Sequence, residues 1–343
     1  MAEIIPEADI FTLKYKSDLL TPNLIEHQIK ESKLGGLPGN PWRYIEKFQH
    51  EINKFNLNAY NLVLCNTSGP MRWLKKEKGG SYLQIAYIHE PYPFIHLDWE
   101  TLSASKALGH FFSRFSKDDH QFFRNEDLEF AKGIDVAITN SVRMKNILDK
   151  LYGIHSHVVY PSVSEHQFYF HPGNEQEYYL AEDYFDRGRG IKTIIDSFNY
   201  IKDRVIILEH DANITELQEN ARENISFVTS YSETHKARLL RNAKAVIIPQ
   251  TGHFSILALE ALNMGIPVIC HKNSTAAELV TEEFNGTVYD TDNPDGLLPA
   301  IFRFEKWKLN RKKIADENDT FTRDGFRKKI KKLLATALSE TGL

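Results

Sequence analysis

Pro249-Gln-Thr-Gly-His-Phe-Ser-Ile-Leu-Ala-Leu-Glu260-Ala-Leu-Asn-Met-Gly265-Ile-Pro-Val-Ile-Cys270 is the stretch that decides how this chain folds. Just before it, Ala245-Val-Ile-Ile-Pro249 is short, unbroken and β-branched, as a buried strand is. Gly252 supplies a turn and Ser255 an N-cap. The helix that follows is apolar from Ile256 to Met264 except at Glu260 and Asn263. Gly265 stops it, Pro267 follows the stop, and a second strand covers 267–270. A carboxylate in such a helix is costly to bury without a donor beside it. Glu260 therefore requires a hydrogen-bonding partner, and a ligand hydroxyl would serve.

Working outward, strand-like runs alternate with amphipathic helices along most of the chain, which predicts α/β layers with parallel sheets. In the first half, strands are expected near 9–13, 61–65, 83–89 and 135–139, and helices near 43–55, 103–132 and 142–152. In the second half, strands are expected near 178–181, 205–209, 225–228, 245–249 and 267–270. The intervening helices should cover 191–201, 214–222, 233–241, 255–264, 275–280 and 294–304. The polar run from Pro161 to Gln167 reads as a linker. A last helix over 324–338, with Asp324 as its N-cap, contains Arg327-Lys-Lys-Ile-Lys-Lys. That basic face is either solvated, with Phe326, Ile330, Leu333 and Leu334 packed inward, or docked on anionic lipid. Phe111, Phe112 and Phe115 read as core.

A chain of 343 residues has room for two domains with cores of their own. At 42% hydrophobic and 26% charged residues it is globular, and a net charge of −4 argues against nucleic-acid binding. No apolar run approaches the roughly 20 residues of a membrane span. The first residues carry acid where a signal peptide carries base, so the expected location is the cytoplasm. Cys65 and Cys270 sit in strand-like runs and read as buried free thiols.

Residues 249–270 resemble the donor-sugar signature of retaining glycosyltransferases of family 4 (glycosyl transferase group 1). That family pairs Glu-Gly/His-Phe-Gly-x-x-x-Leu-Glu-Ala with a Gly-x-Pro-Val-Ile strand. Three further segments resemble it in the same order. They are Leu83–Pro91 with His89, Val136-Ala-Ile-Thr-Asn140-Ser141 through Pro161, and Ala277-Glu278-Leu-Val with Asn285-Gly286-Thr-Val-Tyr289. The resemblance implies a GT-B fold, in which two Rossmann-like domains with mostly parallel sheets face each other across a cleft. It divides the chain into an acceptor-side domain over 1–160, a donor domain over 165–322 and a closing helix over 323–343 that packs back toward the first domain. It also implies that the family's first strand and its Gly-rich loop are missing from the start of this chain, so that either the start is truncated, or another chain completes the fold, or the acceptor site is unusual.

By the same resemblance, Glu260 binds the ribose hydroxyls of a nucleotide-sugar donor, and His89 faces the sugar from the first domain. The family's first Glu falls on Gly252, its phosphate-loop Arg on Tyr184 and its Lys on Arg189. Arg187 stands close enough to take over the lost charge. Guanidinium groups bind phosphate bidentately, so Arg187 and Arg189 suit the charge that develops on a departing diphosphate. With Gly252, His253, Phe254, Ser255, Ile256, Tyr184 and Glu278 they make up the expected donor site. The amides at the start of the Ser255 helix add a second anion site, and together these elements could replace a metal. No metal or other cofactor is expected.

The implied function is sugar transfer from a UDP-, GDP- or ADP-sugar to a glycan or lipid-linked acceptor, with retention at the anomeric carbon and in the service of polysaccharide biosynthesis. Peripheral contact with the cytoplasmic face of a membrane, and homo- or hetero-oligomers, stay open. A rival reading is a non-catalytic GT-B partner subunit or a sugar- or nucleotide-binding module. An epimerase or phosphorylase on the same fold is a third. Asp290-Thr-Asp292 is read as a polar turn capping the next helix rather than as a metal site.

Overall fold

The structure is a computed structural model. It describes residues 1–12, 15–20, 22–32, 45–52, 54–67, 74–76, 79–91, 99, 116–164, 166–172, 178–183, 189–210, 218–229, 232–249, 254–318 and 321–341. The chain divides into two compact units, Met1–Val159 with Arg327–Leu343, and Tyr160–Phe326.

The first unit is built on a four-stranded parallel sheet. Strands β3 (Leu62–Thr67), β4 (Leu83–Ile88), β5 (Val136–Thr139) and β6 (Ser156–Val158) lie side by side in chain order. Every residue of β4 is buried, as a central parallel strand covered on both faces must be. A separate pair, β1 (Ile10–Thr12) and β2 (Ile29–Glu31), is also parallel. Helix α1 (Lys117–Lys132) starts where Ser116 and Asp119 close a reciprocal capping box. This corrects the expected helix over 103–132, because the box fixes the first turn at Lys117. Residues 103–115, including Phe111, Phe112 and Phe115, lie outside the described residues. Phe123 and Phe130 of α1 pack with Met144 and Leu148 of α2 (Val142–Tyr152) against Ala86 and Ile88 of the sheet.

Among the described residues the second unit holds six parallel strands: β7 (Tyr178–Asp183), β8 (Val205–His210), β9 (Ile225–Thr229), β10 (Ala245–Ile248), β11 (Val268–His271) and β12 (Gly286–Tyr289). Their order across the sheet is β12-β11-β10-β7-β8-β9. The chain winds outward from β7 through β8 to β9, then returns to β10 and winds the other way. That is a doubly wound Rossmann order, with its switch point between β7 and β10. Side chains alternate between two apolar layers, as the strand period of two requires. Tyr179, Ala181, Ile247 and Ile269 face helices α3 (Arg189–Tyr200) and α6 (Pro294–Phe304). Tyr178, Leu180, Val246, Ile248 and Val268 face α4 (Glu233–Asn242) and α5 (Ile256–Asn263).

Two glycines are fixed by space. Gly265 ends α5 at φ +76°, and a Cβ there would lie 2.2 Å from the Arg311 carbonyl oxygen. At Gly286 a Cβ would lie 1.9 Å from the Val268 carbonyl, so only glycine lets β12 pair with β11. Asn285 ties the turn before it, accepting from the Thr281 N–H at 2.6 Å and donating to the Leu279 carbonyl at 2.9 Å. β12 was not among the expected strands. Helix α7 (Arg311–Glu317), capped by Asn310, was also missed.

At the amino edge of this sheet, Glu305 accepts from Tyr179 Oη at 2.9 Å, Arg204 Nη2 at 2.7 Å and Lys244 Nζ at 2.9 Å. Burial alone would raise the Glu305 carboxyl. Those three donors outweigh it and hold the pKa at about 2.

The expected helix over 275–280 is a short 3-10 turn, Thr275–Glu278. The cap of α6 is Asn293, whose Oδ1 accepts from the Gly296 N–H, rather than either aspartate of the triplet before it. Asp290 lies 3.8 Å from Lys272 and Asp292 3.5 Å from His271. The last helix, α8 (Arg323–Thr341), is capped by the Thr322 hydroxyl accepting from the Gly325 N–H, which puts Asp324 inside the first turn. On α8, Ile330, Leu334 and Ala337 are buried while Lys328, Lys329, Lys331 and Lys332 are exposed. Arg327 of this helix pairs with Glu3. Cys65 and Cys270 are free and buried, and burial pushes both thiols up to about 12. Among the described residues no helix is long and apolar enough to cross a membrane.

Candidate functional site

In an open, doubly wound sheet the ligand crevice lies at the carboxyl ends of the strands flanking the switch point. In the second unit those ends are Glu182 and Asp183 of β7 and Ile248 of β10. α5 is the next described element after β10. Ser255 caps α5 by accepting from the Ala258 N–H at 3.3 Å, and its own N–H donates to Thr275 Oγ1 at 3.1 Å. That bond joins the start of α5 to the 3-10 turn that carries Glu278. Ile256, the first helical residue, is 40% exposed, although the rest of the apolar run behind it is buried.

Glu260 is buried, at 7% exposure, and it has the charged partner that its setting requires. Its Oε2 lies 2.9 Å from Nζ of Lys236, on the first turn of α4. The same ammonium donates to Oε1 of Glu182 at 3.3 Å. Neither Lys236 nor Glu182 was foreseen. The sequence did carry a signal at Lys236, a cation at the positive end of a helix dipole, where an acid is preferred. Glu182 is in phase with Tyr178 and Leu180, so it points into the layer of α4 and α5 where that layer's apolar run ends.

Glu278 is exposed and accepts from the Tyr160 hydroxyl at 2.8 Å. Tyr160 also meets Phe254, at a centroid distance of 6.2 Å, and Phe321, at 5.6 Å. Thus Glu260, Phe254, Ser255, Ile256 and Glu278 all belong to the second unit. Tyr184, Arg187, Gly252 and His253 lie outside the described residues, and Arg189 opens α3 with its side chain outside them.

His89 belongs to the first unit, one residue past β4. Its Nε2 donates to Asn66 Oδ1 at 2.8 Å, and its carbonyl accepts from Asn140 Nδ2 at 2.8 Å. Asn66 lies on β3 and Asn140 follows β5, so the two neighbouring strands hold the histidine from both sides. Burial lowers its pKa and Glu90 raises it in part, so the ring is neutral at physiological pH. With Nε2 carrying the proton, Nδ1 holds the lone pair. Among the described residues no group of three or more His, Cys, Asp or Glu side chains could hold a metal.

Residues 186–320 match the family model described as Glycosyl transferases group 1. No match to a curated protein was found. Among solved structures, sucrose-phosphate synthase from Thermosynechococcus elongatus is similar with a TM-score of 0.73 and 16% identity, over 97% of this chain and 89% of that one. HepE of Anabaena in complex with UDP is similar with a TM-score of 0.64 and 14% identity, over 91% and 88% of the two chains. The catalytic domain of starch synthase IV from Arabidopsis thaliana, bound to ADP and acarbose, is similar with a TM-score of 0.60 and 12% identity, over 89% and 79%. The parallel α/β sheets of this chain, its doubly wound second unit and these structural relatives together identify its fold as GT-B.

Proposed function

We propose that this protein is a retaining glycosyltransferase that moves a hexose-type sugar from a nucleotide-sugar donor to a glycan or lipid-linked acceptor. One observation carries the reading. The segment that matches the group 1 glycosyltransferase model spans the helix after the switch-point strand β10, and in that helix Glu260 is a buried carboxylate of the kind that receives ribose hydroxyls. The donor diphosphate would meet the amides at the start of α5 together with Arg187 and Arg189, and His89 is assigned a sugar-binding role. Positive groups fixed where charge develops on the leaving diphosphate supply the main catalytic effect. In this reading no protein nucleophile is needed. The acceptor hydroxyl attacks the face that the diphosphate leaves and passes its proton to the departing phosphate.

The test is a thermal-shift panel of UDP, GDP, ADP and their sugar conjugates. UDP and ADP come first, because structures of this fold are known with each of them bound. One nucleotide should raise the melting midpoint, and one of its sugar conjugates should raise it further, because a ligand selective for the native state stabilises it by mass action. A flat panel on folded protein overturns the proposal. A second reading, a nucleotide-binding GT-B protein without turnover, is favoured by Gly252 standing where the family's first Glu falls. Nucleotide binding with neither transfer nor hydrolysis of the sugar conjugate would select it.

A further inference from the structure

The Glu182–Lys236–Glu260 array is the feature of the second unit that the family resemblance does not account for. Its members come from three elements: the carboxyl end of β7, the first turn of α4 and the middle of α5. All three side chains are largely buried, at 16%, 15% and 10% exposure. An ammonium at a helix N-terminus is opposed by the dipole, and one held out of water loses its hydration. A position with both disadvantages is tolerable when fixed carboxylates compensate, and here Lys236 lies within 2.9 Å of Glu260 and 3.3 Å of Glu182.

We infer that Lys236 is a positioning residue for nucleotide recognition, tethering Glu260 to Glu182 so that the Glu260 carboxylate is held in place for the ribose diol. This inference rests on the reading of Glu260 as the ribose contact. Glu182 anchors the ammonium to the sheet. Lys236 thereby holds Oε2 of Glu260 in an ion pair. A carboxylate held in this way gives short, charge-assisted hydrogen bonds to a diol, whereas one free to rotate loses part of that advantage to entropy.

The experiment is calorimetric titration of wild type, Lys236→Met, Lys236→Arg and Glu260→Gln. Each is titrated with the tightest-binding of UDP, GDP and ADP and with its 2′,3′-dideoxy counterpart. Wild type should prefer the ribonucleotide. Lys236→Met should lose about tenfold in affinity for the ribonucleotide and little for the dideoxy form, since a hydrogen bond to a charged group is worth roughly that factor or more. Lys236→Arg should recover most of the preference, and Glu260→Gln should abolish it. If Lys236→Met does not fold, Lys236→Gln, which keeps a polar donor, takes its place with the same expectation in weaker form. Equal losses for both nucleotides, or no loss at all, overturn the role of Lys236 while leaving the nucleotide site intact. A wild-type protein that binds neither nucleotide overturns the functional reading, and this inference with it.

Discussion

Glu260 shows how far one residue can be read from sequence and where the reading stops. A carboxylate inside an apolar helix needs a partner, and that need was legible from residues 256–264 alone. The partner was not. Lys236 comes from a helix two elements earlier, and only the return of the chain to β10 beside β7 brings them together. If Glu260 receives the ribose hydroxyls, Glu260→Gln should weaken nucleotide binding by about tenfold or more in a calorimetric titration. Glu305 supports the fold instead. Its folded pKa of about 2 lies below the 4.5 of a free carboxyl, so its contribution to stability is fully present above pH 4.5 and is lost as pH falls toward 2. Glu305→Gln should therefore cost about 2–3 kcal/mol at pH 7 and much less at pH 3, as read by urea unfolding at both values. Arg204 and Lys244, left without their shared carboxylate, make the loss at neutral pH larger.

Among the elements, the strands and helices with strong periodicity were legible, including the strand–loop–helix–strand unit from Ala245 to Cys270. What failed was the short and the apparently polar. β12 hid behind its Asn-Gly turn, because a four-residue strand shows too little alternation to separate it from a loop. The start of α1 at Lys117 was not legible, because the capping box that fixes it is a local hydrogen-bond pattern rather than a periodic one. Gly265 was read correctly as a helix stop. Its carbonyl neighbour at Arg311, which makes the glycine obligatory, lies on an element the sequence did not reveal. This distinction can be measured. Gly153→Ala meets nothing within 4 Å and should cost only the left-handed backbone penalty, about 1 kcal/mol. Gly265→Ala adds the steric conflict and should cost about 3 kcal/mol or more in the same unfolding assay.

At the scale of the whole molecule, the two units were expected from length and from the linker near Pro161, and the chain divides at Val159. On the second unit, Ser255, Glu260 and Glu278 have described geometry. A nucleotide that binds the second unit should raise that unit's unfolding transition and leave the other close to its unliganded value. Differential scanning calorimetry with and without the ligand reads this directly. A single transition that rises as one would instead show that the units unfold cooperatively.

The last helix leaves the second unit at Phe326 and finishes inside the first, where Arg327 meets Glu3. On the ribosome this reverses the usual order of maturation. Domains generally fold from the N-terminus as they emerge. Here the leading half of the polypeptide is translated long before the segment that completes it, and the whole trailing half emerges in between. The second unit can finish folding before the first receives the helix that carries Arg327.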